Sequence, residues 1–139
     1  MKKFAKVMVL MLVVVMSLAL LVSCAPNSNP DKAVEALKKN GYTGGKDSTV
    51  VPALLTIAQV KGVDCVVSGT KTAEDKDGNK KIETVTIVYF TSSDTANDAW
   101  EKMQKFSDEQ NKDKNSDWTV AKSGAMIYYG TDAAIKAAR

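Results

Sequence analysis

The sequence predicts an α+β domain in which helices pack on a four-stranded, mainly antiparallel sheet, giving two layers. The first observation is a pair of strand-like segments, residues 63–72 and 81–91, which are rich in Val, Ile, Thr and Tyr and flank a polar loop. The second is a shorter pair of strand-like segments about the turn Ser123-Gly124. The third is helical periodicity before, between and after these two hairpins, clearest over residues 92–112.

Signals at both ends predict the first helix, in NPDKAVEALKKNG. Asn29 can cap its N-terminus, Pro30 suits the first helical position, and Gly41 can adopt the left-handed conformation that ends a helix. The segment that follows leaves two interpretations open. Residues 51–61 can form a second helix, or Val50-Val51 can form a short strand, because a residue before proline favours extended backbone. We favour the helix.

Side-chain alternation predicts how the strand over residues 81–91 is placed. One face carries Val85, Ile87 and Tyr89, and the other carries Ile82, Val88 and Phe90 together with Thr84 and Thr86. Apolar residues on both faces predict a central strand, or a strand with one face partly used for binding.

The last hairpin has two faces of different composition. One face carries Trp118, Val120, Ile127 and Tyr129, and the other carries Thr119, Ala121, Met126 and Tyr128. The first set is the better core, and we expect Tyr128 to be exposed. A short helix over residues 132–139 ends the chain, and the long helix before the hairpin has an apolar stripe through Ala96, Ala99, Trp100, Met103 and Phe106.

The first 23 residues have the pattern of a secretory signal peptide. Three lysines lie within MKKFAK, and an uncharged run of 16 residues, Val7 to Val22, follows them. This run is shorter than the roughly 20 residues that a membrane-spanning helix needs. A small residue, Ser23, and a cysteine, Cys24, end the segment, and a polar stretch follows.

The segment Leu21-Val22-Ser23-Cys24 resembles the lipobox of bacterial lipoproteins. The resemblance implies that the lipoprotein signal peptidase recognises Leu21, Val22 and Ser23 and cleaves before Cys24. It also implies that Cys24 carries a thioether-linked diacylglycerol, with acyl chains such as palmitate, which anchors the protein on the extracytoplasmic face of the membrane. Ala25 after the cysteine is compatible with outer-membrane delivery in a cell that has an outer membrane. The ending YYGTDAAIK is loosely similar to that of small lipoproteins of Gram-positive-type bacteria, and it implies no function.

These boundaries divide the chain into a cleaved leader, residues 1–23, a lipid-anchored tether, residues 24–30, and a single α+β domain, residues 31–139. The leader holds three of the 19 basic residues and none of the 16 acidic ones, so the mature chain has no net charge. Net charge therefore gives no support for a nucleic-acid partner. With Cys24 acylated, Cys65 is the remaining thiol, and we expect it to be a buried small hydrophobic residue rather than a reactive one.

Catalytic and metal-binding patterns are not found in the sequence. The chain contains no histidine, which excludes Ser–His–Asp and Cys–His catalysis and histidine zinc sites. An EF-hand alignment on the loop around Gly78 places Ala73 and Thr84 where carboxylates are needed, so we expect no metal and no cofactor. Asp64, between Val63 and Cys65, is the acid that we would examine first, although an outward-facing strand residue is the simpler interpretation.

The sequence therefore predicts a non-catalytic binding or interaction module of the cell envelope, with no catalytic residues. An inhibitor or immunity-type protein is one form of this function. The expected partners are the membrane, through the lipid on Cys24, and an envelope protein or glycan, with Tyr89, Met126 and Tyr128 as the candidate partner surface. The alternative is a small envelope hydrolase that uses carboxylates, for which two carboxyl groups about 5 to 9 Å apart would be needed.

Overall fold

A computed structural model describes residues 25–47, 60–111 and 116–139. Within these ranges the elements, in chain order, are α1 (Pro30–Lys39), β1 (Thr43–Asp47), β2 (Val63–Glu74), β3 (Lys80–Phe90), α2 (Ser93–Gln110), β4 (Trp118–Ser123), β5 (Met126–Thr131) and α3 (Asp132–Ala137). The α+β class and both hairpins are confirmed. The leader lies outside the described residues, and so does almost all of the segment predicted as a helix over residues 51–61.

The sheet has five strands rather than the four that the sequence predicts, in the order β1-β2-β3-β5-β4, and all neighbouring strands are antiparallel. The additional strand is β1, whose sequence is TGGKD. Glycine has a low strand propensity, so this segment gave no strand signal. Gly44 has a φ of 152°, and a Cβ built on it would lie 2.1 Å from the carbonyl oxygen of Ser68. Glycine is therefore required here for β1 to approach β2.

Helices cover both faces of the sheet, so the predicted two-layer arrangement is wrong. On one face α1 and α3 pack against Val67, Val85 and Ile87. On the other face α2 packs against Val66, Val88 and Ile127. The central position of β3 is confirmed, because Val85, Ile87 and Val88 are all fully buried although successive side chains point to opposite faces.

The predicted signals at the ends of α1 are confirmed. The Asn29 side chain accepts hydrogen bonds from the backbone N–H groups of Asp31 and Lys32. At the other end Gly41 has a φ of 84°, and the Tyr42 N–H donates to the Leu37 carbonyl at 2.9 Å. This bond is the outer one of a Schellman motif, which satisfies carbonyl groups at the end of the helix. Tyr42 itself folds back into the core beneath α1.

A capping box begins α2, the helix that the sequence shows most clearly. The Ser92 hydroxyl accepts from the Thr95 N–H, and the Thr95 hydroxyl accepts from the Ser92 N–H. Further along the helix, the buried Ser107 hydroxyl accepts a hydrogen bond from the Trp118 indole N–H at 2.9 Å. This bond fixes α2 against β4.

Candidate functional site

The three residues predicted as a partner surface do not form an exposed surface. Tyr89, Met126 and Tyr128 are 6%, 4% and 5% exposed, and all three belong to the core between the sheet and the helices α1 and α3. The expected exposure of Tyr128 is therefore wrong. The expectation assumed that one face of the last hairpin would face solvent, whereas α1 and α3 cover that face.

The structure does bring two of these residues together with Asp64. Tyr89, Met126 and the exposed Asp64 line a surface concavity of about 370 Å³, together with Ser28 and Ser123. Its size is at the lower end of the range for small-molecule sites. Asp64 is the only carboxyl group among the described residues that line it.

Cys65 lies next to Asp64 in sequence, but its side chain points to the core on the α1–α3 side of the sheet. Burial, with a smaller contribution from the charge of Asp64, raises the pKa of the Cys65 thiol. A raised pKa lowers the fraction of thiolate, which is the reactive form. The geometry is that of a structural cysteine.

A different part of the sheet is open to solvent. On the α2 side, α2 packs over β3, β4 and β5, and the part of the sheet formed by β1, β2 and the outer half of β3 carries polar side chains. We call this surface the hydroxyl face, and it consists of Thr43, Ser68, Thr70, Thr72 and Thr84. The first four side chains are exposed and the fifth is half-buried.

Strand pairing places these hydroxyl groups in rows. Thr43 pairs with Thr70, and Thr70 pairs with Thr84, so one row crosses three strands. The hydroxyl oxygens of Thr70 and Thr84 are 3.3 Å apart, within hydrogen-bonding distance. Neighbouring strands lie about 4.8 Å apart and next-but-one residues of a strand about 7 Å apart, so the hydroxyl groups form a regular grid.

The outer end of β3 is held in place by β5. The Thr84 N–H donates to the hydroxyl oxygen of the buried Thr131 at 3.2 Å, and this hydroxyl also donates to the Thr84 carbonyl at 3.3 Å. These two bonds continue the β3–β5 pairing beyond the last regular pair. The hydroxyl face is thus supported by paired strands of the sheet rather than by a loop.

Two charged residues that alternate with the threonines of the hydroxyl face, Lys71 and Glu83, point to the opposite side of the sheet. Lys71 lies with its Nζ 5.5 Å from the centre of the Tyr42 ring and donates to the Asn40 carbonyl at 3.2 Å. The Glu83 carboxylate accepts a hydrogen bond from the Tyr42 hydroxyl at 2.8 Å, and burial together with this carboxylate raises the pKa of Tyr42. The five side chains of the hydroxyl face are uncharged, and Lys71 and Glu83 contact the segment that follows α1.

An apolar side chain lies beside the hydroxyl face. Ile82 pairs with Thr72 across β2 and β3 and is 57% exposed, the one large hydrophobic side chain among the described residues that is exposed. An exposed isoleucine next to a row of hydroxyl groups gives the surface both polar and apolar contacts for a partner.

Part of this surface is predictable from the sequence. Alternation places Thr84 on the same face as Ile82, and one face of this strand is a candidate for binding. Thr43 is not predictable in this way, because β1 has no strand pattern of its own. The signal that was available is the alternation of hydroxyl residues in S-x-T-x-T at 68–72 and T-x-T at 84–86, which puts all of them on one face of a hairpin.

The chain matches no family model, no curated protein and no solved structure. Among the residues that the structure describes, no three acidic or cysteine side chains lie close enough together to hold a metal ion. Within the same residues, no helix is both long and apolar enough to span a membrane.

Proposed function

We propose that the protein is a lipid-anchored, non-catalytic binding module of the cell envelope, and that its hydroxyl face binds an uncharged, hydroxyl-rich partner, an envelope glycan. The observation that carries this proposal is the grid of five uncharged hydroxyl side chains, four exposed and one half-buried, on one face of the sheet. The lipobox resemblance supports the lipid anchor and the extracytoplasmic location.

The chemistry of the surface supports a glycan over a charged polymer. A hydroxyl side chain both donates and accepts hydrogen bonds, as a sugar hydroxyl does. None of the five residues of the grid is a lysine or an arginine, the side chains that a nucleic acid or another polyanion would require. The exposed Ile82 can contact the apolar C–H face of a sugar ring. Four of the five residues, together with Lys71, line an open concavity of about 710 Å³. An open surface suits a polymer strand rather than an enclosed small molecule.

Binding to envelope glycan tests the hydroxyl face. We expect the purified chain to co-sediment with cell-wall glycan, and the double variant Thr70→Val/Thr84→Val to bind about tenfold or more weakly, because each lost hydrogen bond costs about 0.5–1.5 kcal/mol. Thr91→Val is the matched control, because Thr91 is exposed but lies after β3 and outside the grid. Equal binding by the double variant and the control would contradict the proposal.

The anchor has a separate test. Mass spectrometry of the protein from membranes should show a diacylglycerol on Cys24 and no leader. The Cys24→Ala variant should be water-soluble or uncleaved. A trimmed, membrane-bound Cys24→Ala protein would contradict lipidation at this residue.

The carboxylate hydrolase stays a hypothesis, and we favour the binding module over it. Two carboxyl groups in one cleft are the requirement for that chemistry, and the concavity at Tyr89 and Met126 is lined by Asp64 alone among the described residues. Release of sugars from the glycan by the wild-type chain, abolished in Asp64→Asn, would favour the hydrolase instead.

A further inference from the structure

The segment that follows Cys24 is packed against the domain. Pro26 is buried, and Ala25 packs on the core between the sheet and the helices α1 and α3. This arrangement differs from the tether that the sequence led us to expect, in which residues 24–30 would form a spacer between the lipid and the domain.

Two hydrogen bonds hold this segment at Asn27. Its N–H donates to the carbonyl of Ala138, after the end of α3, at 2.8 Å. Its carbonyl accepts from the Tyr89 hydroxyl at 2.7 Å. We call these three residues, Asn27, Tyr89 and Ala138, the N-terminal latch. The Asn27 side chain also accepts from the N–H of Asn29, the residue that caps α1, so the segment is tied to both helices of this face.

The latch leaves little free chain between the lipid and the domain. Cys24 precedes Ala25, and neighbouring Cα atoms are about 3.8 Å apart. A free spacer of six residues would reach about 20 Å. A diacylglycerol on Cys24 would therefore hold the bilayer surface close to the side of the sheet that carries α1 and α3.

The hydroxyl face lies on the other side of the sheet. Val66 and Val67 point to opposite cores, so strand alternation puts Ser68 and Thr70 on the α2 side. Gly69 faces the latch side, where a Cβ built on it would lie 3.0 Å from the side chain of Leu37 in α1. A helix layer and a sheet, each about 10 Å thick, separate the latch side from the hydroxyl face.

The charges of the helices differ between the two sides. The helices α1 and α3, with the adjoining Arg139, carry five basic and three acidic side chains, all exposed: Lys32, Lys38, Lys39, Lys136 and Arg139 against Asp31, Glu35 and Asp132. The helix α2 carries five acidic and two basic side chains, all exposed: Asp94, Asp98, Glu101, Asp108 and Glu109 against Lys102 and Lys105. Anionic phospholipid headgroups attract the first surface and repel the second.

We infer that the α1–α3 face docks on the phospholipid headgroups of the membrane that holds the lipid, and that the latch thereby directs the hydroxyl face away from the bilayer. The inference rests on the proposed function, because it requires the lipid on Cys24. In this orientation the α1–α3 face lies on the membrane, and the hydroxyl face points away from the membrane toward the rest of the envelope.

Fluorescence quenching in vesicles tests the orientation. The full chain is expressed in a bacterium, its Cys24 is checked by mass spectrometry, and the lipidated protein is reconstituted in vesicles of phosphatidylcholine and phosphatidylglycerol that carry a headgroup quencher. Dyes are attached at Lys39→Cys in α1 or at Glu101→Cys in α2, since Cys65 is buried. We expect loss of fluorescence at Lys39→Cys and none at Glu101→Cys.

The latch is tested by removing one hydroxyl group. Tyr89→Phe should reduce the difference in quenching between the two dyes, and it should increase the amide exchange rate of Asn27 by about tenfold, as expected for one lost hydrogen bond. Tyr42→Phe is the matched control, because it also removes one partly buried hydroxyl bond but lies away from the latch.

The outcomes separate the two proposals. An unmodified Cys24 in the mass spectrum would overturn the lipid anchor and the orientation together. A lipidated protein in which both dyes are quenched equally would leave the anchor in place and overturn the orientation. Unchanged quenching and exchange in Tyr89→Phe would overturn the role of the latch.

Discussion

Replacing Gly44 with alanine should weaken the attachment of β1 to the sheet. The new Cβ would lie 2.1 Å from the Ser68 carbonyl oxygen and 2.8 Å from its carbonyl carbon. A carbon atom normally stays about 3.3 Å from a carbonyl oxygen, so β1 must move away by about 1 Å. A displacement of that size breaks backbone hydrogen bonds that are about 2.9 Å long.

The magnitude follows from two contributions. A non-glycine residue at a φ of 152° adds about 1–2 kcal/mol of backbone strain. One or two lost hydrogen bonds between β1 and β2 add about 1 kcal/mol each. We therefore expect Gly44→Ala to lower the free energy of unfolding by about 3 kcal/mol, which lowers the midpoint in urea by about 1–3 M.

Urea unfolding followed by circular dichroism is the assay, with Gly45→Ala as the matched control. No heavy atom lies within 4 Å of a Cβ built on Gly45, so this variant should change the free energy of unfolding by less than about 1 kcal/mol. Equal urea midpoints for the two variants would show that the approach of β1 to β2 does not require glycine at position 44 any more than at position 45, and they would refute this reasoning.

Three further changes test the core, a helix end and one carboxylate. Ile127→Ala, in the fully buried core under α2, should lose about 2–5 kcal/mol of unfolding free energy, whereas Ile82→Ala, at a position that is 57% exposed, should stay within about 0.5 kcal/mol. Asn29→Ala removes the cap of α1 and should lose about 1 kcal/mol, measured in the same urea assay; no loss would mean that the two bonds to its side chain contribute nothing. Hydrogen bonds from the backbone N–H groups of Asn79 and Asp77 lower the pKa of Asp75 below its ordinary value of 3.8. The folded state therefore favours the charged form of the Asp75 carboxyl group. The stability that these hydrogen bonds contribute is present above pH 3.8 and is lost as the pH falls through the lowered pKa of Asp75. Asp75→Asn should therefore show a smaller loss of stability on acidification, and an unchanged loss would contradict this role of the carboxylate.

Much of the fold could be predicted because its signals are local. The cap at Asn29, the proline after it and the left-handed Gly41 act within one turn of α1, and they are readable from a dozen residues. Each predicted hairpin is likewise a pair of neighbouring segments joined by a short loop. Alternation along β3 predicted either a central strand or a strand with one face partly used for binding, and β3 is the central strand of the sheet.

The remaining features depend on contacts between distant segments. β1 is a strand because Gly44 can approach Ser68, and glycine residues by themselves favour no strand. The burial of Tyr128 has the same kind of cause. Its sequence neighbours allow either exposure or burial, and the choice depends on where α1 and α3 pack. The hydroxyl face depends on both local sequence and distant contacts. The alternation of hydroxyl residues in β2 and β3 is a local pattern, but Thr43 joins this surface only because β1 pairs with β2.

The sequence alone determined the class of the domain, the ends of α1, the two hairpins and the lipobox resemblance at Cys24, because periodicity, capping and turn chemistry act over a few residues. The tertiary structure decided that helices cover both faces, that a fifth strand extends the open part of the sheet, and that Asn27 is held by Tyr89 and Ala138. These features arise from packing between residues far apart in the chain, and side-chain alternation in one strand does not specify which segment will cover each face.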